Sequence, residues 1–474
     1  MTARLGLLAC VAVLAIAPAG RRDQVIVLSG VVTASDKGTY QEHSFEVAAG
    51  TRRLTFEFEH ERRGSGTELE IGIYDPARFR GTSRFSKTRF HIGEHHATPS
   101  YVAGLLPPGR WRLSLGMPTV SETSGWRVTV TASTGDDGPL RAPPRRGPAW
   151  YAGDLHAHTL HSDAFGCRDR ATAPARGCQA WEVVEAARQA RLDFLAITDH
   201  NTTSHHADLA VLQESLDDLL LVRGQEVTTF RGHANVYGTS AAIDFRLGFQ
   251  GRTIPDLLRD VTSQNALLSV NHPARETGDR CTGCGWDAPG TDWSRIPALE
   301  VVNGTVVEGP TAGLPFWYDR LNEGHRITAI GGSDDHAARS ERGRIGRPTT
   351  LIFADERSER ALLDGIRSGR VYIRPRGPDG PGLDLELTAD RQRALMGETL
   401  EVGTRTAARL RLRVTRADQQ TLHVVANGRP LHMRRIGVES EVLIPASVAP
   451  GDWIHVLLRD ERGITAISNP VYIR

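Results

Sequence analysis

The sequence predicts a multidomain protein in which a central barrel of strands and helices lies between two β-sandwich domains. A chain of 474 residues is too long for one ordinary hydrophobic core. Short runs that alternate apolar and polar residues occur towards both ends, whereas the middle of the chain changes to helical spacing. The predicted segments are a signal peptide, a β-sandwich, a linker, the barrel and a second β-sandwich, at residues 1–19, 24–135, 136–148, 149–375 and 376–474.

The first residues predict a secretory signal peptide. Arg4 supplies a positive charge, residues 5–17 form an apolar run too short to cross a bilayer, and residues 17–19 offer a small-residue cleavage site. An uncleaved anchor, a buried helix and lipidation at Cys10 are the alternatives. We therefore expect an exported protein, periplasmic or secreted, without stable membrane insertion.

Four cysteines would remain after cleavage of that signal peptide, and an even number in an exported chain favours disulfides. Local pairing, Cys167 with Cys178 and Cys281 with Cys284, is the simplest of the three connectivities. A zinc site on the Cys-x-x-Cys of Cys281 and Cys284 is the competing interpretation. Cys167 and Cys178 lack metal-ligand spacing, which makes zinc the weaker alternative.

The two outer regions contain runs that alternate apolar and polar residues and end at Gly, Pro or Ser clusters. Such runs are typical of half-buried antiparallel strands, and therefore of β-sandwiches. The clearest runs are residues 54–60, 69–74, 111–115 and 126–131 near the beginning, and 408–414, 421–425, 442–444 and 453–458 near the end.

The middle region alternates helical and strand patterns, which predicts a parallel sheet and, at this length, a barrel. In such barrels the functional residues lie at the carboxyl ends of the strands. The predicted helices are residues 180–191, 254–264 and 313–323, and the predicted strands are residues 192–198, 266–270 and 326–330.

Metal-ligand side chains follow these strands closely. His156 and His158, separated by one residue, point the same way from an extended strand. Glu226 is the best candidate for a carboxylate that bridges two ions. His200, His233, His272, Asp334 and His336 complete the set. Mixed nitrogen and oxygen ligands suit two or three divalent ions, Zn, Mn or Fe, without choosing among them. The pattern predicts an open hydrolytic metal site.

Residues of about 150 to 340 resemble the polymerase-and-histidinol-phosphatase (PHP) family of metal-dependent hydrolases. The segment from Gly232 to Gly238 and the exported, sandwich-flanked layout are most similar to its carbaryl-hydrolase-type (CehA/McbA) branch. The matching motifs occur in order and are Asp154-Leu-His-Ala-His-Thr159, Ser162-Asp163, Ile197-Thr-Asp-His200, Gly224-Gln-Glu226, Asn271-His-Pro273 and Gly332-Ser-Asp-Asp-His336.

The resemblance implies a distorted (β/α)7 TIM-like barrel that carries two or three divalent ions. Family members include phosphatases and phosphodiesterases and, in this branch, hydrolases of aryl carbamates. One departure is visible: the family usually has Gly after the Ser-Asp pair, where this chain has Ala164 and a cysteine-bracketed insertion. That insertion suggests a reshaped pocket rim. The implied metal ligands are His156, His158, Asp163, His200, Glu226, His233, His272, Asp334 and His336.

The expected mechanism is attack by a metal-bridging hydroxide on a phosphoryl or acyl group. Asp199 would hold a ligand histidine or shuttle a proton, and Asp154 would orient His156 or His158. Arg231 and His205 are candidates for protonating the leaving group or balancing substrate charge, as are His206 and Arg275. Glu300 and Asn303 are expected to lie behind the ligands.

These features favour an exported phosphoesterase that acts on small phosphate monoesters or diesters. The alternatives are a carbamate or carboxyl ester hydrolase with the same ions and a non-catalytic protein that binds a glycan or a surface. The formal net charge of +1 provides no global attraction for nucleic acid, so a nuclease is not expected. The expected partner is a small ester, and the sequence leaves the oligomeric state open.

Overall fold

The computed structural model of the chain describes residues 23–83, 87–94, 97–134, 146–170, 173–239, 241–278, 281–437 and 441–474. The predicted signal peptide and residues 136–145 of the predicted linker lie outside these ranges. The chain divides into two compact units, residues 1–140 and 141–474. Within the described ranges, no helix has both the length and the apolar character of a membrane span.

The N-terminal unit consists of two antiparallel four-stranded sheets, ordered β1-β8-β3-β6 and β2-β7-β4-β5. Side chains alternate along each strand; in the third strand, Leu54, Phe56 and Phe58 are buried, whereas Glu57 points outwards. Apolar side chains from both sheets form one core, as in a β-sandwich. The strands are β1 (Gln24–Val32), β2 (Tyr40–Val47), β3 (Arg53–His60), β4 (Thr67–Tyr74), β5 (Phe79–Ser83), β6 (Arg89–Gly93), β7 (Gly109–Val120) and β8 (Ser124–Ser133).

The second unit begins with a region in which strands and helices alternate. The predicted helices at 180–191, 254–264 and 313–323 are confirmed to within two residues. The elements are β9 (Arg146–Asp154), α1 (Ala180–Gln189), β10 (Phe194–Ile197), α2 (His206–Gln213), β11 (Leu220–Thr229), β12 (Gly232–Tyr237), α3 (Ile254–Ser263), β13 (Leu267–Val270), β14 (Ala298–Asn303), α4 (Gly313–Asn322), β15 (Thr328–Gly332), β16 (Thr349–Glu356), α5 (Glu359–Arg367) and β17 (Val371–Arg374).

The distorted (β/α)7 TIM-like barrel was expected to close on itself, but the strand pairing of the described residues does not show a closed barrel. Strands β9 to β15 are neighbours in order, but β12 runs antiparallel to β11 and β13, so the sheet is not wholly parallel as expected. A tight hairpin joins β11 to β12. Between β13 and β14, the described residues form one helical element, the short 3₁₀ helix Trp293–Arg295. Among the described residues, the two ends of this series meet through one isolated bridge, between Ala157 after β9 and Asp335 after β15. The result is a curved, mostly β arrangement with few helices.

The C-terminal strands continue the same sheet. Beyond β9 the order is β16-β17-β26-β25-β22-β23, and a separate four-stranded sheet has the order β19-β18-β21-β24. The segments predicted as barrel and second sandwich therefore share one hydrogen-bonded sheet. The remaining strands are β18 (Gly382–Ala389), β19 (Gln392–Leu395), β20 (Thr399–Leu400), β21 (Thr406–Thr415), β22 (Thr421–Ala426), β23 (Arg429–Arg435), β24 (Glu441–Val448), β25 (Trp453–Asp460), β26 (Gly463–Ser468) and β27 (Val471–Ile473).

His455 in β25 predicts a pH-dependent stability. Its Nδ1 donates to the carbonyl of Ser468 at 3.2 Å, and its Nε2 accepts from the hydroxyl of Tyr318 at 2.7 Å. Burial lowers the pKa of this ring to about 3, compared with 6.5 for an unperturbed histidine. The unfolded chain therefore takes up a proton as the pH falls below that ordinary value, whereas the folded ring stays neutral.

The stability that neutral His455 contributes is fully present above pH 6.5 and is lost as the pH falls towards about 3. We expect a loss of about 2–3 kcal/mol in the free energy of unfolding of the second unit between pH 6.5 and 4.5. Urea unfolding at both pH values measures it. His455→Asn, which keeps a donor but cannot titrate, should show a smaller loss; equal losses in both proteins would contradict the assignment.

Candidate metal centre

Asp154, at the end of β9, holds the strand ends of the site together. Its carboxylate accepts hydrogen bonds from the backbone N–H groups of His156 at 3.2 Å, Ser333 at 2.9 Å and Gly346 at 2.7 Å. Burial raises the pKa of this carboxyl to about 6, although these donors oppose the shift. Asp154 thus fixes the backbone that carries His156, rather than an imidazole ring as the sequence analysis expected.

The backbone is strained where β13 and β15 end. His272 has φ 29° and Asp334 has φ 53°, a left-handed region that non-glycine residues seldom adopt. Gly332 precedes this turn because a Cβ there would lie 2.3 Å from the Cβ of His156. Such strain persists where surrounding structure enforces it, and in this chain it occurs at two candidate ligands.

Glu226, fully buried in β11, lies at the centre of the candidate ligands. Five rings reach its carboxylate oxygens with one nitrogen each: His200 Nδ1 at 2.9 Å, His156 Nε2 and His233 Nδ1 at 3.2 Å, His158 Nε2 at 3.4 Å and His272 Nε2 at 3.5 Å. The hairpin brings His233 into this group, because β12 begins at the edge where β11 ends. Glu226 is therefore the carboxylate that the five rings share.

Asp334 and Asp163 extend the cluster beyond Glu226. Asp334 Oδ1 lies 3.1 Å from His158 Nε2 and 3.4 Å from His156 Nε2. Asp163 Oδ1 lies 3.2 Å from His336 Nε2 and 3.6 Å from His200 Nε2. The structure thus brings all nine residues predicted as metal ligands into one contiguous cluster.

The outward nitrogen of three rings is held by an oxygen, which turns the other nitrogen towards Glu226. His156 Nδ1 lies 2.9 Å from Glu300, His272 Nδ1 donates to the Cys284 carbonyl at 3.0 Å, and His233 Nε2 donates to the Thr282 carbonyl at 3.0 Å. Metal-binding histidines in proteins are held in this way, because an oxygen on the second ring nitrogen fixes the tautomer and the orientation of the ring.

The residues fit divalent ions. His156 Nε2, His233 Nδ1 and Glu226 Oε2 are buried and have no hydrogen-bond partner among the described residues, a costly state that a cation would relieve. The potential ligand atoms form four overlapping groups, each within 4.8 Å: His158, Asp163, His200 and His336; His156, His158, Glu226 and Asp334; His200, Glu226 and His233; and His233, His272 and Cys284.

The electrostatics keep the carboxylates charged. Burial raises the pKa of Glu226, but the neighbouring His200 and His156 outweigh it and hold that pKa well below its ordinary value. The pKa of Asp334 is likewise held well below its ordinary value by the adjacent imidazoles, despite burial. Burial lowers the pKa of His336, but its hydrogen bond to Asp163 prevails and raises that pKa to about 9.

Three other residues predicted as catalytic, Asp199, His205 and Arg231, make their contacts away from the Glu226 carboxylate. Buried Asp199 accepts from Thr159 and Ser162 and pairs with His205 Nδ1 at 3.1 Å, so it holds the loop after His158 instead of a ligand ring. His205 is fully buried, and its Nε2 donates to the Ile197 carbonyl. Arg231 is largely exposed and pairs with Asp287 at 3.1 Å. None of the contacts found in the described ranges gives Arg231 or His205 access to the Glu226 carboxylate.

Arg275, Asn271 and Asn303 are the polar neighbours of the cluster. Arg275 Nη1 lies 3.3 Å from Asp334 Oδ2, and Asn271 Nδ2 donates to Glu226 Oε1 at 2.9 Å. Asn303 donates to Glu300 and Asp334. Arg275, Glu300 and Asn303 are predicted from the sequence as neighbours of the ligands, whereas Asn271, which adjoins His272 in the Asn271-His-Pro273 motif, is not.

Thr228 was missed altogether. Its hydroxyl lies 2.5 Å from His200 Nδ1. It stands two residues after Glu226 in the same strand, so both side chains face the same side of the sheet. That period of two was the available signal.

Both predicted cysteine pairs lie at disulfide distance, with Cα atoms 5.1 Å apart for Cys167–Cys178 and 5.4 Å apart for Cys281–Cys284. Pairing leaves Cys284 without a thiolate to bind a metal. The first pair packs on the loop that carries His336: the N–H of Gly166 donates to the His336 carbonyl at 2.9 Å, and Cys178 Sγ lies 3.6 Å from the same oxygen.

Removing the Cys167–Cys178 pair as Cys167→Ser/Cys178→Ser should loosen the support of His336. We expect a loss of about 2–3 kcal/mol in the free energy of unfolding, from the entropy of the opened loop. We also expect metal affinity at the Asp163–His336 end to fall about tenfold, as when a group that supports a ligand is lost. Urea unfolding and zinc titration measure the two effects. Unchanged affinity in the destabilised variant would show that the pair only stabilises the chain.

No protein-family model matches this chain, and no curated protein matches it. One similar solved structure is a two-domain protein from Bacteroides vulgatus that contains a predicted PHP-like metal-dependent phosphoesterase; it is 18% identical over 71% of this chain and 98% of its own, with a TM-score of 0.39. Another is the CARDB domain of PF1109 from Pyrococcus furiosus, 12% identical over 20% of this chain and 97% of its own, with a TM-score of 0.15. A calcium-binding mutant of Bacteroides uniformis β-glucuronidase 2 is 8% identical over 92% of this chain and 74% of its own, with a TM-score of 0.19. These scores are too low to establish a shared overall fold.

Proposed function

We propose that the chain is a metal-dependent hydrolase of the PHP type, and specifically a phosphoesterase for small phosphate monoesters or diesters. The observation that carries this proposal is the buried Glu226 carboxylate, reached by one nitrogen from each of five histidines and flanked by Asp334 and Asp163. This donor set is open at the Asp163 side, where the carboxylate is 59% exposed. Structural zinc sites, in contrast, are closed and rich in cysteine.

Two or three divalent ions bound there would supply a water nucleophile of lowered pKa and polarise the phosphoryl oxygen. The protein's own contribution is to fix the ligands and to place a cation beside them. The guanidinium of Arg275 is 44% exposed and 3.3 Å from Asp334, so it can bind a phosphoryl oxygen that enters next to the ligands. Glu300, Asn303 and Asn271 hold His156, Asp334 and Glu226 in place.

Arg275 favours a phosphorus ester over a carbamate, because a neutral carbamate has no charge to match it. The carbaryl-hydrolase-type alternative has its own supporting observation: Phe165, 58% exposed, adjoins Asp163 and could contact an aryl group. A non-catalytic binding protein is disfavoured, because such a protein would be expected to have lost some of the ligands. In this chain all nine candidate ligands are present in one contiguous cluster. Export is part of the proposal, and the cysteine pairs at disulfide distance suit an oxidising compartment.

A hydrolysis panel on the protein refilled with Mn or Zn tests the proposal. It compares 4-nitrophenyl phosphate, bis-4-nitrophenyl phosphate, 4-nitrophenyl acetate and an N-methyl aryl carbamate, with His156→Ala as the control. We expect turnover of a phosphorus ester that the control loses. Turnover of the carbamate alone would assign the chain to the carbaryl-hydrolase-type activity, and metal-independent turnover would reject the metal centre.

A further inference from the structure

A cavity of about 1100 Å³ begins at the open side of the metal centre. Two of the candidate ligands, Asp163 and His336, line it. The other walls come from residues 168–170 and 175, which lie between Cys167 and Cys178, from α1, and from the loop at residues 337–342. The insertion that departs from the family pattern therefore forms a wall of this cavity.

Two exposed aromatic rings line the cavity. Phe165 is 58% exposed and Trp181 is 48% exposed. The Arg339 guanidinium lies 5.5 Å from the centre of the Trp181 ring, and its Nη1 lies 3.3 Å from buried Glu182. The indole is thus held in place at the cavity wall and still accessible, as a stacking surface requires.

The charges that remain available in the cavity are mostly positive. Its carboxylates at 169, 182 and 185 are already paired with arginines: Asp169 and Glu182 with Arg176, and Glu185 with Arg188. Within the described ranges, Arg168, Arg170 and Arg342 also line the cavity and form no ion pair; Arg168 donates to the Ala173 carbonyl. Of the lining carboxylates outside the metal cluster, Glu341 alone lacks an ion pair among the described residues.

We propose that this cavity binds the part of the substrate beyond the phosphoryl group, and that this part carries a planar aromatic ring and a second negative charge. The phosphoryl position rests on the proposed function, whereas the ring and the charge follow from the cavity's own side chains. A ring would stack on Trp181 or Phe165, and a carboxylate or second phosphate would pair with Arg170 and Arg342.

Three diesters that release the same 4-nitrophenol test the proposal; their second ester groups are ethyl, phenyl and 4-carboxyphenyl. We expect kcat/KM to rise in that order. Trp181→Ala should reduce the preference for phenyl over ethyl by about tenfold, the loss of one stacking contact. Arg170→Gln/Arg342→Gln should reduce the preference for 4-carboxyphenyl over phenyl by about tenfold or more, the loss of charge-assisted contacts. Arg360→Gln, an exposed arginine on α5, is the matched control and should leave both preferences unchanged.

Calorimetry with non-hydrolysable phosphonates that carry the same three groups separates this proposal from the proposed function. Tighter binding of the 4-carboxyphenyl phosphonate, weakened in the arginine variant, would support the cavity assignment even if no diester is turned over. Equal affinity or equal kcat/KM for all three groups would overturn it, and the phosphoesterase proposal would stand if the diesters are still hydrolysed.

Discussion

Glu226→Gln should abolish metal-dependent hydrolysis, lowering kcat/KM by about 10³-fold or more. Glutamine keeps the volume of the side chain and can still accept the hydrogen bond from Asn271. It removes the negative charge that one nitrogen from each of five histidines now approaches within 3.5 Å. Without that charge, the repulsion between cations held close together is no longer offset. The metal content of the protein should therefore fall together with its activity.

Elemental analysis of the refilled protein and the phosphorus-ester assay measure this prediction. Glu42→Gln is the matched control, because Glu42 forms an exposed pair with Arg112 at 3.0 Å, in the N-terminal unit and away from the metal centre. A Glu226→Gln protein that keeps its metal and most of its activity would show that Glu226 is not a bridging ligand.

Asp75→Ala should destabilise the N-terminal unit by about 3–5 kcal/mol, the cost of leaving a buried charge without its partner. Arg80 is fully buried, and its Nη1 lies 3.0 Å from Asp75 Oδ2. Three further guanidinium hydrogens are donated to the carbonyls of residues 102, 104 and 105. Those neutral acceptors orient the cation but do not neutralise it.

Chemical unfolding of the N-terminal unit, followed by tryptophan fluorescence, measures this loss. Glu42→Ala removes an exposed pair and should change the free energy of unfolding by no more than about 1 kcal/mol. Asp75→Ala/Arg80→Met should recover part of the loss, because no buried charge remains. A double variant less stable than Asp75→Ala alone would argue against a charge effect.

The sequence predicted local structure well where one pattern dominates. Helix α3 begins at Ile254, as its apolar spacing predicted, and ends at Ser263, one residue before the predicted end. A Thr253–Asp256 capping box fixes its start. β12 was not predicted as a strand, because Gly232–Tyr237 is buried along its whole length and shows no alternation of apolar and polar residues. Its antiparallel direction depends on the hairpin after Thr229 and on the neighbouring β13.

The candidate ligands were predictable for a similar reason. Six of the nine lie two to four residues beyond a strand, a pattern that is local in sequence: His156, His158, His200, His272, Asp334 and His336. Glu226 and His233 lie within β11 and β12, and Asp163 was expected from the family resemblance alone. The structure gathers all nine. The catalytic roles of Arg231 and His205 stay predictions. The contacts of the two side chains depend on which partner the fold places beside them. Asp287 pairs with Arg231, and Asp199 engages His205, which no spacing revealed.

The sequence by itself determined which residues are candidate metal ligands and where the strongly patterned strands and helices lie, since both depend on side-chain chemistry and short-range periodicity. Tertiary structure alone decided that Glu226 lies at the centre of five rings, that β17 joins the C-terminal strands into one sheet, and that the Cys167–Cys178 segment forms a cavity wall beside His336. These facts depend on which strand edges meet and how the sheet curves, and the free energy of such contacts comes from residues far apart in the chain.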